Sequence, residues 1–219
     1  MRDYKYYLFD ADGTLIDTTE LICKCFENTA RMTGNGVIGK ADIMQHIGLT
    51  LKDQMAVHFG KLEDTVFEEY RKIHMQYQMS IYSEHLRLFT GVTETLETLK
   101  SRGKKCAVVT SRFRNSLEIY LRDTGILSFF DVIITPESTE FHKPHPAPAL
   151  KAMEQLNALP QESLFIGDAT FDIECGTNAG IDTAFVLWSI NNISSLRAQP
   201  TYCIEEMNEL CIVEDKMVL

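Results

Sequence analysis

The chain has 219 residues, long enough to bury a large core as one domain or as a main domain plus an insert. Its composition, 45% apolar and 24% charged, is that of an ordinary globular protein, which excludes the disordered and fibrous classes. A net charge of −10 excludes nonspecific attraction to nucleic acid or anionic membrane, so an anionic substrate would need a local positive site or a metal ion.

No N-terminal stretch reads as a signal peptide, and no apolar run approaches membrane-spanning length. The six cysteines (Cys23, Cys25, Cys106, Cys175, Cys203 and Cys211) lack zinc spacing and form no dense framework. Reduced core thiols in a cytoplasmic protein are therefore expected.

The first predicted element is a short strand, "KYYLF" (5–9). It runs into Asp10 and Asp12, one residue apart, followed by Gly13-Thr14. In an extended segment the two carboxylates project to the same side. At the C-terminal edge of a parallel sheet that side faces the crevice where ligands bind. Two acids so close repel unless a cation lies between them or one holds a proton. A simple Asp-Gly turn is the plainer explanation, but it does not account for an apolar strand ending in Asp-x-Asp-Gly-Thr.

From about Thr18 to Leu88 only helical patterns occur: "TELICKCFENTARM", "LKDQMAVHFG" and "LEDTVFEEYRKIHMQYQMSIY". A parallel crossover needs far fewer residues, so this stretch reads as a helical insertion covering the sheet. The expected division is a core of residues 1–16 and 89–219 and a cap of residues 17–88. His46, His58 and His74 have no ligand spacing and read as surface or packing residues of the cap.

Strands and helices then alternate. "GVTETLETLKSRG" is an amphipathic helix, and "KKCAVVT" (104–110) is a strand delivering Thr110, Ser111 and Arg112 at its end. Hydroxyls and N–H groups there suit an oxyanion, and Arg112 suits a fork-shaped phosphate contact, although helix capping is the commoner role. "RNSLEIYLRDTG" is a helix and "FDVIIT" (130–135) a strand. In "EFHKPHPAPAL" the proline after Lys143 places that ammonium on a loop before a helix. "SLFIG" (163–167) is a strand ending at Asp168, with Asp172 one helical turn further on. "DTAFVLW" (182–188) is a strand, and "YCIEEMNELCIVEDKMVL" reads as a last strand and a closing helix. Apolar strands alternating with helices predict an α/β fold, a parallel sheet covered on both faces.

Four successive strands thus deliver acids, hydroxyls, a lysine and acids again. The acids suit a hard divalent ion, most simply Mg²⁺. Thr110, Ser111 and Lys143 suit a phosphoryl group.

On these residues the chain resembles the haloacid dehalogenase superfamily over essentially its whole length. "DADGT", "VVTS", "HKP" and "GDATFD" match its four motifs, and the helical insert lies where that family carries its C1 cap. The resemblance implies a Rossmann-like core with strands ordered three-two-one-four-five. It is strongest to the phosphoglycolate phosphatases and related bacterial pyrophosphatases, through "DGTLIDTTELI", "HKPHPAPALKAM" and "GTNAGIDTAFVLWSI". The implied activity is Mg²⁺-dependent hydrolysis of a small phosphate monoester, phosphoglycolate-like, through an aspartyl phosphate.

The same resemblance implies the roles. Asp10 is the nucleophile and Asp12 the proton shuttle. Thr110 and Lys143 hold the phosphoryl oxygens, beside Ser111 and Arg112. Asp10, the backbone carbonyl of Asp12 and Asp168 hold the metal, while Asp172 orients Lys143 or a metal-bound water. Lys52 falls near the place where cap residues contact the substrate's non-reacting end. Alternatives are inorganic pyrophosphate hydrolysis, a β-phosphoglucomutase-like transfer (disfavoured by Ile22 where that branch has histidine) and a catalytically silent binding module. Asp12 argues against dehalogenation and phosphonate cleavage. The expected partner is a small phosphorylated metabolite, with no nucleic acid or membrane, and the chain is expected to be a monomer or homodimer.

Overall fold

The computed structural model describes residues 1–213. The chain opens with strands β1 (Tyr6–Phe9) and β2 (Ile16–Asp17). Four helices follow: α1 (Thr19–Met32), α2 (Lys40–Met44), α3 (Leu51–Phe59) and α4 (Asp64–His85). After β3 (Arg87–Leu88) come α5 (Val92–Ser101), β4 (Lys105–Val109), α6 (Arg114–Asp123) and β5 (Val132–Ile134). The remainder is α7 (Ala147–Leu156), β6 (Ser163–Gly167), α8 (Thr170–Asn178), β7 (Asp182–Val186) and β8 (Tyr202–Ile204).

Six strands form a parallel sheet ordered β5-β4-β1-β6-β7-β8. This is the three-two-one-four-five order with a sixth strand added at one edge. Side-chain alternation explains why both faces are covered. Tyr7, Phe9, Cys106, Val108, Leu164 and Ile166 enter one core with Leu96 and Leu99 of α5 and Leu117 and Leu121 of α6. Their alternates Leu8, Ala107, Val109 and Phe165 enter the other, with Ala149 and Met153 of α7 and Cys175 of α8.

The inserted helices bury a separate cluster of Ile22, Phe26, Ile43, Ile47, Leu51, Met55 and Phe67. On α1 the buried positions Leu21, Ile22, Cys25, Phe26, Thr29 and Ala30 recur at helical spacing. On α4 the buried stripe is Phe67, His74 and Gln78. The insert leaves and rejoins the core through a short antiparallel pair, Ile16 opposite Leu88 and Asp17 opposite Arg87.

Several details differ from expectation. The strand expected to reach Trp188 stops at Val186, and the indole lies beyond it, donating to the Thr14 carbonyl at 3.2 Å. The closing helix is a single 3-10 turn, Met207–Cys211, and residues 214–219 of that segment lie outside the described residues. All six cysteines are unbridged, but Cys203 is exposed rather than in the core. Among the described residues, no helix is long and apolar enough to cross a membrane.

Candidate active site

The central strand sets the site. Phe9 pairs with Val108 on one side and Ile166 on the other, so Asp10 lies one step beyond, level with the ends of β4 and β6. Its N–H continues the ladder to the Ile166 carbonyl at 2.9 Å. The chain order turns back at β1 and β6, which makes their C-terminal ends the topological switch point where open α/β sheets bind ligands. Asp10 and Asp168 end these two strands.

Asp172 reaches the same place from the first turn of α8. Its Oδ2 accepts from the Ala169 N–H at 3.0 Å, half of a capping box, and this leaves Oδ1 for the site. Asp10, Asp168 and Asp172 are all buried, with oxygens within 4.8 Å of one another. Lys143 enters from the loop before α7 and donates at 2.6 Å to both Asp10 and Asp172, and at 3.3 Å to the Val109 carbonyl. Its side chain is 2% exposed. Burial disfavours this ammonium, but Asp10 and Asp172 outweigh it, so Lys143 stays charged.

The carboxylates outnumber that cation. Burial pushes Asp10 well above the ordinary carboxylate range; Lys143 opposes the rise, while Asp172, Asp168 and Asp12 add to it. Burial and Asp172 push Asp168 up to about 7, against hydrogen bonds from Ser189 at 2.6 Å and Asn191 at 2.9 Å. Three buried acids against one ammonium leave negative charge uncompensated, and an all-oxygen set of this kind fits a hard divalent cation. Gly13 permits the crowding: at φ +83° it brings the backbone so close that a Cβ would lie 2.2 Å from Asp168 Oδ2.

Asp12 does not join this cluster. Past Phe9 the chain leaves extended geometry and turns, with the N–H groups of Leu15 and Ile16 both bonded to the Ala11 carbonyl at 2.9 Å. Both acids still border one small cavity, but Asp12 lies outside the three-acid cluster. The Asp12 carboxylate accepts instead from Arg112, Nε to Oδ2 at 2.8 Å and Nη2 to Oδ1 at 2.7 Å, and from the Thr18 hydroxyl.

A small cavity of about 60 Å³ opens beside these groups. Asp10, Asp12, Thr110 and Arg112 form its core side, and Ile22, Phe26, Leu51, Gln54 and His74 belong to its cap side. Ser111 ties the two together by donating its hydroxyl to the Gly48 carbonyl at 2.7 Å. Thr110 is buried, and its Oγ1 accepts from the Arg112 N–H at 3.1 Å.

His74 is neutral. Thr29 donates its only hydroxyl proton to the Cys25 carbonyl at 2.7 Å, so His74 Nδ1, 3.2 Å away, must be the donor to Thr29. Burial, with Arg112 nearby, lowers His74 to about 3. Between there and the unfolded value of about 6.5, the unfolded chain binds the proton that the folded chain refuses, so stability falls as pH falls. From pH 7 to pH 5 this group alone is expected to cost about 2 kcal/mol. Urea titrations at the two pH values should show a His74→Gln variant losing that much less than the parent; equal losses would refute the linkage.

The structure thus brings Asp10, Asp168, Asp172 and Lys143 together with Thr110 at the cavity edge. It turns the Ser111 hydroxyl to the cap and the Arg112 fork to Asp12 rather than to open space. Lys52 is elsewhere: exposed, it pairs with Asp64 at 2.9 Å, lies 5.5 Å from the Phe67 ring centre and does not line the cavity at Asp10. Sequence reasoning missed Ser189 and Asn191, which hold Asp168, and also Thr18, Gln54 and the cavity role of His74. The polar run "SINN" after β7 is a signal for the first two; the others carry none beyond their helical register.

The profile of the haloacid dehalogenase-like hydrolase family matches residues 7–186. A Bacillus mycoides (strain KBAB4) protein named "Pyrophosphatase PpaX" is 36% identical over 204 residues, 93% of each chain. Its Bacillus anthracis (strain A0248) namesake is 34% identical over 211 residues, 96% of each. A solved Bacteroides fragilis structure, described as a haloacid dehalogenase-like hydrolase, superposes with a TM-score of 0.87 at 30% identity, covering 95% of this chain and 100% of that one. With its four motifs assembled at one sheet edge and a matching profile across most of its length, this chain belongs to the haloacid dehalogenase-like hydrolase family.

Proposed function

We propose that this enzyme is a Mg²⁺-dependent phosphohydrolase acting on inorganic pyrophosphate, with Asp10 as nucleophile. The observation that carries the reading is the buried cluster of Asp10, Asp168 and Asp172, in which Asp10 and Asp172 pair with one ammonium, Lys143. The pyrophosphatase names of relatives that align with nearly the whole chain support the substrate. This reverses the order of preference drawn from the motifs, which put phosphoglycolate first.

Asp10 and Asp168, with the Asp12 carbonyl, are the proposed metal ligands, and Asp172 orients Lys143. The ion, when bound, supplies charge neutralisation between nucleophile and phosphate. An Asp10 oxygen attacks phosphorus; the bond to the leaving oxygen breaks, and its electron pair leaves with that oxygen, which takes a proton from Asp12. Water then attacks the aspartyl phosphate, giving its proton to Asp12, and the breaking P–O bond returns its pair to Asp10. Lys143 and Thr110 hold the equatorial oxygens, where the transferred charge is spread. The cap is proposed as residues 17–88, hinged at the paired β2 and β3, opening to admit substrate.

One observation favours a second reading, a small ester such as phosphoglycolate: the cap side of the cavity is largely hydrocarbon, including Ile22, Phe26 and Leu51. Phosphate release from pyrophosphate and from phosphoglycolate, each with and without Mg²⁺, decides between them. Mg²⁺-dependent pyrophosphate turnover with the higher kcat/KM is expected; turnover of neither, across pH 5–9, would sink both. An Asp12→Asn variant should accumulate phosphorylated protein, seen as a mass increase after acid quench. Its absence in a variant that still forms product would count against the proton-shuttle assignment.

A further inference from the structure

The cavity beside Asp10 has a single cationic side chain on its wall. Among the described residues lining it, Arg112 is the only lysine or arginine. That side chain is 8% exposed, and its guanidinium lies 4.7 Å from the centre of the Tyr120 ring. The Tyr120 hydroxyl in turn accepts from Gln78 of the cap helix α4 at 2.8 Å. Its fork is committed to Asp12 through Nε and Nη2.

Two constraints follow. A buried guanidinium is costly without an anion, so Arg112 gives up Asp12 only in exchange for another. Its paired N–H groups fit a carboxylate or a phosphate equally well. Meanwhile both Asp12 oxygens are engaged, by Arg112 and by the Thr18 hydroxyl.

Building on Asp10 as nucleophile, we propose that Arg112 selects substrates whose leaving group is itself an anion. The phosphate or carboxylate of that leaving group takes the guanidinium fork from Asp12, and this exchange frees Asp12 to reach the leaving oxygen. A neutral alcohol offers no exchange and leaves the clamp closed. Pyrophosphate and phosphoglycolate then form one substrate class, and esters of neutral alcohols fall outside it.

The test compares kcat/KM for pyrophosphate, phosphoglycolate and glycerol 1-phosphate in the wild type, Arg112→Met and Arg112→Lys, with Mg²⁺ throughout. The wild type should favour the two anionic-leaving-group substrates by about tenfold or more. Arg112→Met should lower these about a hundredfold while lowering glycerol 1-phosphate by less than about tenfold, and Arg112→Lys should recover part of the preference. Equal losses on all three substrates, or a wild type without the preference, would overturn the proposal.

A second measurement does not depend on turnover. Calorimetry of Mg²⁺-loaded protein should show methylenediphosphonate binding about tenfold or more tighter than methylphosphonate, with Arg112→Met abolishing the difference. If no phosphate compound is hydrolysed, the phosphohydrolase reading fails by itself. The diphosphonate preference still decides on Arg112: its presence supports anion selection and its absence refutes it.

Discussion

Asp10→Asn is expected to lower turnover by about a thousandfold or more, because an amide oxygen does not replace the attacking carboxylate. Asn keeps the shape of the side chain and its backbone N–H bond to Ile166. It also removes one acid from a buried cluster in which burial and three neighbouring aspartates already work against its ionised form. Lys143 keeps Asp172 as a partner at 2.6 Å. Stability should therefore stay within about 1 kcal/mol of the parent, or rise. A stable and inactive protein is the expected result, read by thermal melting and phosphate release. A stable protein with parental turnover would remove Asp10 from the chemistry.

Lys143→Met should produce the opposite combination, inactive and unstable. The substitution leaves Asp10, Asp168 and Asp172 buried with no ammonium among them. Removing one partner of a buried ion pair costs about 3–5 kcal/mol, because the surviving charge keeps its desolvation penalty. Part of that loss should be recovered by a bound cation, since any ligand that binds only the folded state stabilises it by mass action. Melting curves with EDTA and with Mg²⁺ should thus differ more for Lys143→Met than for the wild type. An unchanged melting temperature in EDTA would show that Lys143 does not neutralise the cluster.

The features legible in the sequence were those written in local pattern. Each core strand is a short apolar run, and burial on both faces makes such runs nearly continuous, so the alternation with helices was visible and the sheet followed. Asp10 and Asp168 stand out because each directly follows such a run and has a second acid two or four residues on, a pattern that turns and helix caps alone do not account for.

What escaped depends on partners far apart in the chain. Strands β2 and β3 are two residues each, too short for any periodicity, and they exist only because they pair with each other. Helix α2 has five residues and no repeat to read. Asp12 borders the same cavity as Asp10, but the chain turns at Ala11–Ile16 instead of staying extended, and the Asp12 carboxylate pairs with Arg112, 100 residues away. Lys52 finds Asp64 twelve residues on, across the start of another helix, and is held away from the cavity. The direction of a long cationic side chain is set by the nearest anion in space, which local sequence does not report.

The most direct measurement is chemical trapping at Asp10. Protein mixed with pyrophosphate and Mg²⁺, quenched in acid during turnover and reduced with borohydride, should carry homoserine in place of Asp10 in its N-terminal peptide. Steady turnover with Asp10 recovered unmodified, or with the reduced residue elsewhere in the chain, would contradict the account.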